Sequence, residues 1–336
     1  MYVLVYFHDA EQQKKKLPPK KKRGVKNLSL KKQVKKPEPV KKPSAVQRPL
    51  NKFQKKLFER NKVIENLYRN QMMGVAKHLG KIASSCNPEE KKSVQAMVTR
   101  LNSYSDQLKG WAGTLARNIV YSLNKDDRDT WNDNSVEMSR LLKREMTTAP
   151  IEPLLKKYMD EQVDLITSLP RSAAKRIQKL VLKNMYEGGM RAEGLAKIIM
   201  QTENVSKSKA QVIARTEVSK ISTGLTKARS SEIGLDWYIW RAVHDVRTRD
   251  SHKVMDGVAV QWSDPPSPEK LSGQKKSYGK YHAGEFVNCR CYPEPLIRIS
   301  DVPFPVKVHR KGRIVSMNRE QFMKLLEKSF TLDRAA

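Results

Sequence analysis

The chain has 336 residues, with 66 Lys and Arg against 35 Asp and Glu, a formal net charge of +31. That length has room for two ordinary domains of about 100 to 150 residues, and the charge calls for a polyanionic partner, nucleic acid before an anionic membrane surface. No stretch approaches the ~18 to 20 consecutive apolar residues of a membrane span, and the apolar opening Met1 to Phe7 is too short, and lacks the basic leader, for a signal peptide. Cys86, Cys289 and Cys291 make no disulfide framework, which suits a reducing cytoplasm.

Residues 11–50 carry 15 Lys and Arg against Glu11 and Glu38, with six prolines. Such a segment buries too little apolar surface to offset the entropy of ordering. Residues 1–50 therefore read as a short apolar start and a disordered basic arm. Lys14, Lys15, Lys16, Lys20, Lys21, Lys22, Arg23, Lys31, Lys32, Lys35, Lys36, Lys41 and Lys42 are its candidate nucleic-acid contacts, suited to backbone phosphates without sequence readout. A solubilising linker is the plainer alternative.

From Asn51 a helical period takes over. Phe53, Leu57, Ile64, Leu67, Tyr68, Val75, Leu79 and Ile82 share one face of a long amphipathic helix. Asn87-Pro88-Glu89-Glu90 reads as an N-cap with proline in the first turn. It opens a second helix striped by Val94, Met97, Leu101, Leu108, Trp111, Leu115, Ile119 and Leu123. A polar stretch over 124–134 precedes helices expected at 135–147 and 153–169, the latter ending at Leu169-Pro170. Further helices are expected over 172–186, stopping at Gly188-Gly189, over 192–200, and over 206–229. Arg215 and Glu217, two apart on that last helix, cannot face each other and should anchor it to other segments.

Beyond Gly234 the texture turns strand-like. Strands are expected at 237–240, 253–255 and 258–262, with Asp256-Gly257 as a hairpin turn. A Pro-, Ser-, Gly- and Lys-rich loop follows over 263–283. The chain closes with a strand at 313–317 and a helix capped by Asn318, with Gln321 at the capping-box position. The fold class is α+β: a mostly helical N-terminal and middle region and a small C-terminal β-containing module, preceded by the arm. The divisions are 1–50, 51–169, 170–234, 235–300 and 301–336.

Two of the three cysteines and three of the six histidines fall between Trp240 and Cys291. In an extended strand Cys289 and Cys291 point to one face, an arrangement better suited to zinc than to a strained disulfide. His252 and His282 are the best completing ligands, with His244 or Asp256 as substitutes. The alternative is that the cysteines are small buried hydrophobes and the histidines are hydrogen-bonded core groups. Asp245, Arg247, His252 and His282 are also the types that a metal-dependent nuclease would use for acid-base work and phosphate binding. An ion-paired strand and loop is the plainer account of them. No P-loop, H-E-x-x-H or G-x-S-x-G motif is present.

The ordered series Ile213-Ala-Arg215-Thr216-Glu217, Gly234, Trp240, Asp245-x-Arg247-Thr-Arg249, His252, Asp256-Gly257 and Asn288-Cys289-Arg290-Cys291 resembles the phage Mu F-like minor head proteins, or phage head morphogenesis proteins. The resemblance covers about residues 165–295. It implies a low-copy internal head protein of a tailed phage, associated with the portal vertex and needed in procapsid assembly; together with the charge it makes a non-enzymatic assembly protein, made in the host cytoplasm and carried in the virion, the leading expectation. Its implied partners are the portal protein, scaffold or major capsid protein, and double-stranded DNA. The His and Cys positions become the signature module of the family. The Lys-rich loop at 270–280 and the basic arm depart from the usual pattern and strengthen the expectation of DNA contact.

Overall fold

The period read from residue 51 onward becomes helix α1 (Lys52–Ser84). This is a computed structural model, and it describes residues 52–87, 90–134, 144, 148–187 and 201–332. All the arm lysines and Arg23, nearly all of the helix expected at 135–147, Gly188-Gly189 and the helix expected at 192–200 lie outside the described residues. On α1, Ile64, Tyr68, Met72, Val75 and Leu79 are buried at steps of three and four, whereas Leu67, assigned to the stripe, is half exposed. It sits about 100° around the helix from Tyr68 and falls off the buried face.

The second expected helix is two, α2 (Lys91–Gln107) and α3 (Lys109–Asn134). They meet at Leu108, which keeps right-handed helical angles. The first residue of α2 follows Glu90 rather than Asn87, so the proposed cap lies too early. The polar stretch 124–134 is helical, because Asp127, Thr130 and Trp131 turn inward. Trp111, placed on the core stripe, remains partly exposed.

The helices expected at 153–169 and 172–186 are one, α4 (Glu152–Glu187), with Pro170 inside. Proline removes one backbone donor and should break the helix. Burial of Ile166, Leu169, Ala173, Ala174 and Ile177 on both sides of it holds the helix together. Ser105 on α2 donates to the Thr167 carbonyl beside the proline at 2.8 Å. The division drawn at 169/170 thus falls within a helix, and Asn51–Ala336 group as one unit.

Helix α5 (Thr202–Glu232) is the central element of the helical body. Tyr68 donates to Gln162 at 2.9 Å, and Gln162 donates to Glu217 at 3.0 Å, so α1, α4 and α5 share one buried polar chain. Arg215 bonds to Glu65 of α1 at 3.0 Å. Both motif residues are therefore inter-helix anchors, as their spacing predicts.

The remaining elements are β1 (Trp237–Arg241), α6 (Asp250–Met255), β2 (Val258–Gln261), α7 (Pro268–Leu271), β3 (Tyr292–Pro295), β4 (Val306–Arg310), β5 (Arg313–Met317) and α8 (Arg319–Leu332). The sheet order is β3-β1-β2-β4-β5, antiparallel except for the parallel pair β2/β4. Strand β4 escaped the sequence reading. So did the helical state of 250–255: the expected hairpin is a helix turning into a strand. Ser251, His252 and Met255 are buried at helical, not alternating, spacing.

Alternation sorts the sheet into two faces. Tyr238, Trp240, Val258 and Val260 pack with Met255, Tyr281 and the two C-terminal cysteines. Trp237, Ile239, Ala259 and Val308 pack with Phe322 of α8. The α8 capping box forms as expected, with Gln321 N–H on Asn318 Oδ1 at 2.9 Å and Asn318 N–H on Gln321 Oε1 at 3.0 Å.

Candidate metal centre

Helix α6 presents His252 from the cover of the first sheet face, and the loop before β3 brings Cys289 and Cys291 against it. The cysteines precede the strand rather than occupy it, yet their sulfurs converge as extended spacing suggests. Each Sγ lies 3.4 Å from His252 Nδ1. All three side chains are at most 3 % exposed, and the three cysteines of the chain are free.

The other ring nitrogen, His252 Nε2, lies 3.2 Å from the Tyr281 hydroxyl. That hydroxyl donates to Glu269 of α7 at 2.5 Å. Ser251 Oγ reaches the same carboxylate oxygen at 3.4 Å. Burial, then the hydrogen bond to Glu269 and its charge, push the Tyr281 phenol far above its ordinary range, so it stays protonated. Its one proton goes to the carboxylate, and its oxygen accepts from Nε2–H of His252. By that assignment Nδ1 turns its lone pair toward the sulfurs. Trp240 meets the imidazole edge-on at 5.6 Å, and Phe286 lies at 6.2 Å.

The two thiols differ. Burial alone would raise Cys289, but the hydrogen bond from Cys291 and the contact with His252 bring it well below the usual thiol range. The hydrogen bond to Cys289, burial and the Cys289 charge push Cys291 well up. The pair therefore holds its first negative charge on Cys289.

His282 does not join this group. Its Nδ1 lies 3.1 Å from the Tyr238 hydroxyl and its Nε2 lies 3.5 Å from Lys227 Nζ. The substitutes are engaged elsewhere as well: His244 Nε2 lies 2.7 Å from Asp256 Oδ2, and Asp256 Oδ1 accepts the Ala242 N–H at 2.9 Å. Asp245 pairs with Arg290 and accepts from the Arg247 N–H and Thr248 hydroxyl, while the Arg247 side chain is exposed. Asp245 thus meets Arg247 only through its backbone N–H, while His252 and His282 bond to other groups. The plainer reading of that loop, an ion-paired support, is the one the contacts favour.

Helix α5 forms the floor of the cysteine loop. Thr216, Thr223 and Lys227 lie on one face at spacings of seven and four. Thr216 accepts the Asn288 N–H at 3.0 Å, and Thr223 donates to the Ala283 carbonyl at 2.8 Å. Gly284, at φ +91°, lies against this face. Arg249 donates to the Val287 carbonyl at 3.0 Å and stacks 4.8 Å above Phe286. Sequence reasoning missed Tyr281, Glu269, Tyr238 and Lys227. Glu269 sits in the polar stretch read as a loop, and only the Pro268-Glu269 helix start could have flagged it.

Residues 175–293 match the family model described as phage Mu protein F like protein. The match runs from α4 to the start of β3 and includes Thr216, His252 and both cysteines of the centre. A protein of Haemophilus influenzae, described as uncharacterized, is 28 % identical over 162 residues, which is 48 % of this chain and 32 % of the relative. The chain thus matches about a third of that curated relative's length. No solved structure matches. Among the described residues no helix is long and apolar enough to cross a membrane. Over residues 175–293, where α5 carries the cysteine loop and α6 presents His252, the chain is similar to the phage Mu protein F-like proteins.

Proposed function

We propose that this chain is a minor head protein of a tailed phage, acting in head assembly at the portal vertex and contacting the packaged DNA. The observation that carries the reading is the family match over 175–293, which spans α5, strands β1 and β2 and the cysteine loop that α5 supports. The net charge of +31 supports the DNA contact: a protein held beside a dense polyanion gains affinity from counterion release at each phosphate it neutralises. The helical body offers its surface to the portal protein, with scaffold and major capsid protein as further partners. The arm lysines meet double-stranded DNA without reading sequence. The protein is then made in the host cytoplasm and ends inside the virion.

The test is to disrupt the gene in a phage or prophage that encodes it, then examine the particles by electron microscopy and purified heads by mass spectrometry. Aberrant or missing heads in the mutant, and the protein in wild-type heads, are expected. Normal heads, or its absence from them, would overturn the reading. For the DNA contact, the full chain is compared with residues 51–336 on a duplex across a salt series. The full chain should bind more tightly, its log–log salt slope steeper by about 0.9 for each phosphate the arm neutralises. Equal slopes would remove the arm from the proposal. Incubation of the same protein with plasmid and divalent ions should give no cleavage; cleavage lost in His252→Ala would establish a nuclease instead.

A further inference from the structure

We propose that His252 Nδ1, Cys289 Sγ and Cys291 Sγ bind one zinc ion, with Tyr281 and Glu269 as positioning residues behind the imidazole and a water in the fourth position. The inference goes beyond the head-protein reading and does not depend on it. It also changes the ligand set that sequence suggests, since His282 is left out.

Geometry is the first argument. Zinc bonds of about 2.3 Å to sulfur and about 2.0 to 2.1 Å to nitrogen, at a tetrahedral angle, hold sulfur and nitrogen about 3.5 Å apart. Both Sγ–Nδ1 separations here are 3.4 Å. The three ligand atoms lie within 4.8 Å of one another, and no fourth His, Cys, Asp or Glu joins them among the described residues.

Chemistry is the second. Two thiolates and an imidazole are the soft and borderline donors that zinc prefers. Three lone-pair-bearing atoms face one another in a buried site. A shared proton bridges only two of them, whereas a divalent cation engages all three and, with two thiolates, leaves the site neutral. Loading releases to solvent whatever thiol protons the pair still holds.

The third is the support behind His252. A metal-bound imidazole ordinarily donates its distal N–H to a carboxylate, carbonyl or water, which fixes the tautomer and raises ligand basicity. Here the relay runs from His252 Nε2–H to the Tyr281 oxygen and from the Tyr281 proton to buried Glu269. Nδ1 is thereby presented as a lone pair at the point where both sulfurs arrive. Glu269 Oε1 carries this relay and also receives Ser251. The ion fastens α6 to the cysteine loop.

The experiment uses the full chain. Protein expressed with zinc is passed through EDTA and metal-free buffer, and metal per chain is measured by plasma mass spectrometry. One retained zinc per chain is expected. Cobalt replacement should give thiolate-to-cobalt charge transfer and the intense ligand-field bands of four-coordinate cobalt. Cys289→Ser and Cys291→Ser should lose both signals, while His282→Asn should keep both. Tyr281→Phe should keep the cobalt spectrum but weaken zinc binding by about 10- to 100-fold in chelator competition. A wild-type chain that holds neither metal overturns the site, and needs no variant to fold. Unchanged metal in Cys289→Ser, or metal lost from a folded His282→Asn, overturns the ligand set. Wild-type affinity in Tyr281→Phe removes the positioning role.

Discussion

The backbone N–H of Asn288 donates to the Thr216 hydroxyl at 3.0 Å, joining the middle of α5 to the residue before Cys289. Asn288 holds φ at +56°, a left-handed conformation that asparagine adopts more readily than most residues with a side chain. Thr216 is buried, so its hydroxyl has no water to replace the bond. Thr216→Val keeps the shape and removes the acceptor. The Asn288 N–H left unpaired is only part-buried, so urea unfolding of the variant should show a loss of about 1 kcal/mol, the lower end of the cost of a stranded donor. An unchanged midpoint would mean that the cysteine loop is held without this bond.

Gly284 makes a second prediction about the same contact. At φ +91° an L side chain is strained, and its Cβ would enter the space of Thr223 Oγ1 while lying 3.0 Å from the Cys291 carbonyl and from Ser219 Oγ. The carbonyl belongs to the backbone that carries a candidate ligand and cannot swing away as a side chain can. Gly284→Ala should therefore cost about 2 kcal/mol or more, at the upper end of single-substitution effects. Gly257→Ala, also at positive φ but with open space around its Cβ, should cost less. Thermal unfolding of the two variants side by side separates backbone strain from the clash. Equal losses would show that the packing of Gly284 on α5 carries no weight.

How far the sequence reveals this arrangement depends on the range of the interaction. The roles of Arg215 and Glu217 are legible because two residues separated by two on a helix must look to different neighbours. The convergence of Cys289 and Cys291 is legible for the same kind of local reason, and so is the Asn318–Gln321 cap. Pro170 misleads because a local breaking tendency is outweighed by tertiary packing on both of its sides. Asp256-Gly257 misleads because a turn signal says nothing about whether the preceding element is a strand or a helix. His282 looks equivalent to His252 in sequence. Only the fold places one against two sulfurs and the other between Tyr238 and Lys227. Glu269 and Tyr281 are illegible for a related reason: their function lies in a chain of bonds linking segments far apart in sequence.

In the helical body, Asp127 and Arg229 form a buried ion pair, each side chain about 2 % exposed. Thr226 donates to the other Asp127 oxygen at 2.7 Å, and Arg229 also reaches Asn124 at 2.6 Å. Burial pushes the Asp127 carboxyl up, and only the Arg229 charge and the two hydrogen bonds hold it down. Removing one partner strands a charge in a dry site, at about 3 to 5 kcal/mol. Asp127→Leu should therefore be severely destabilised, and so should Arg229→Met. The double variant should recover much of that loss, because two apolar groups of similar bulk leave no orphan charge. A double variant as unstable as the sum of the singles would show that the pair contributes more than the mutual relief of its own desolvation.

His282 gives the fold a pH dependence of definite sign. Burial first, and then the Lys227 charge, push its imidazole from 6.5 down to about 3. In the unfolded chain the ring takes up a proton as the pH falls through about 6.5; in the folded chain it remains neutral down to about 3. The unfolded state binds more protons throughout that window, so stability falls as the pH falls. One unit below the unfolded value, this group accounts for at most about 1.4 kcal/mol. His309, also lowered by burial, adds a smaller slope of the same sign. Asp127 and Glu217, both raised by burial, act in the opposite direction. The wild-type urea midpoint should drop between pH 7 and pH 5.5, and the drop should be smaller in His282→Asn, where only the other groups titrate. Comparing the two slopes cancels whatever the substitution itself costs at pH 7. Parallel slopes would mean that the ring takes up its proton equally in both states, and that its place between Lys227 and Tyr238 does not keep it neutral.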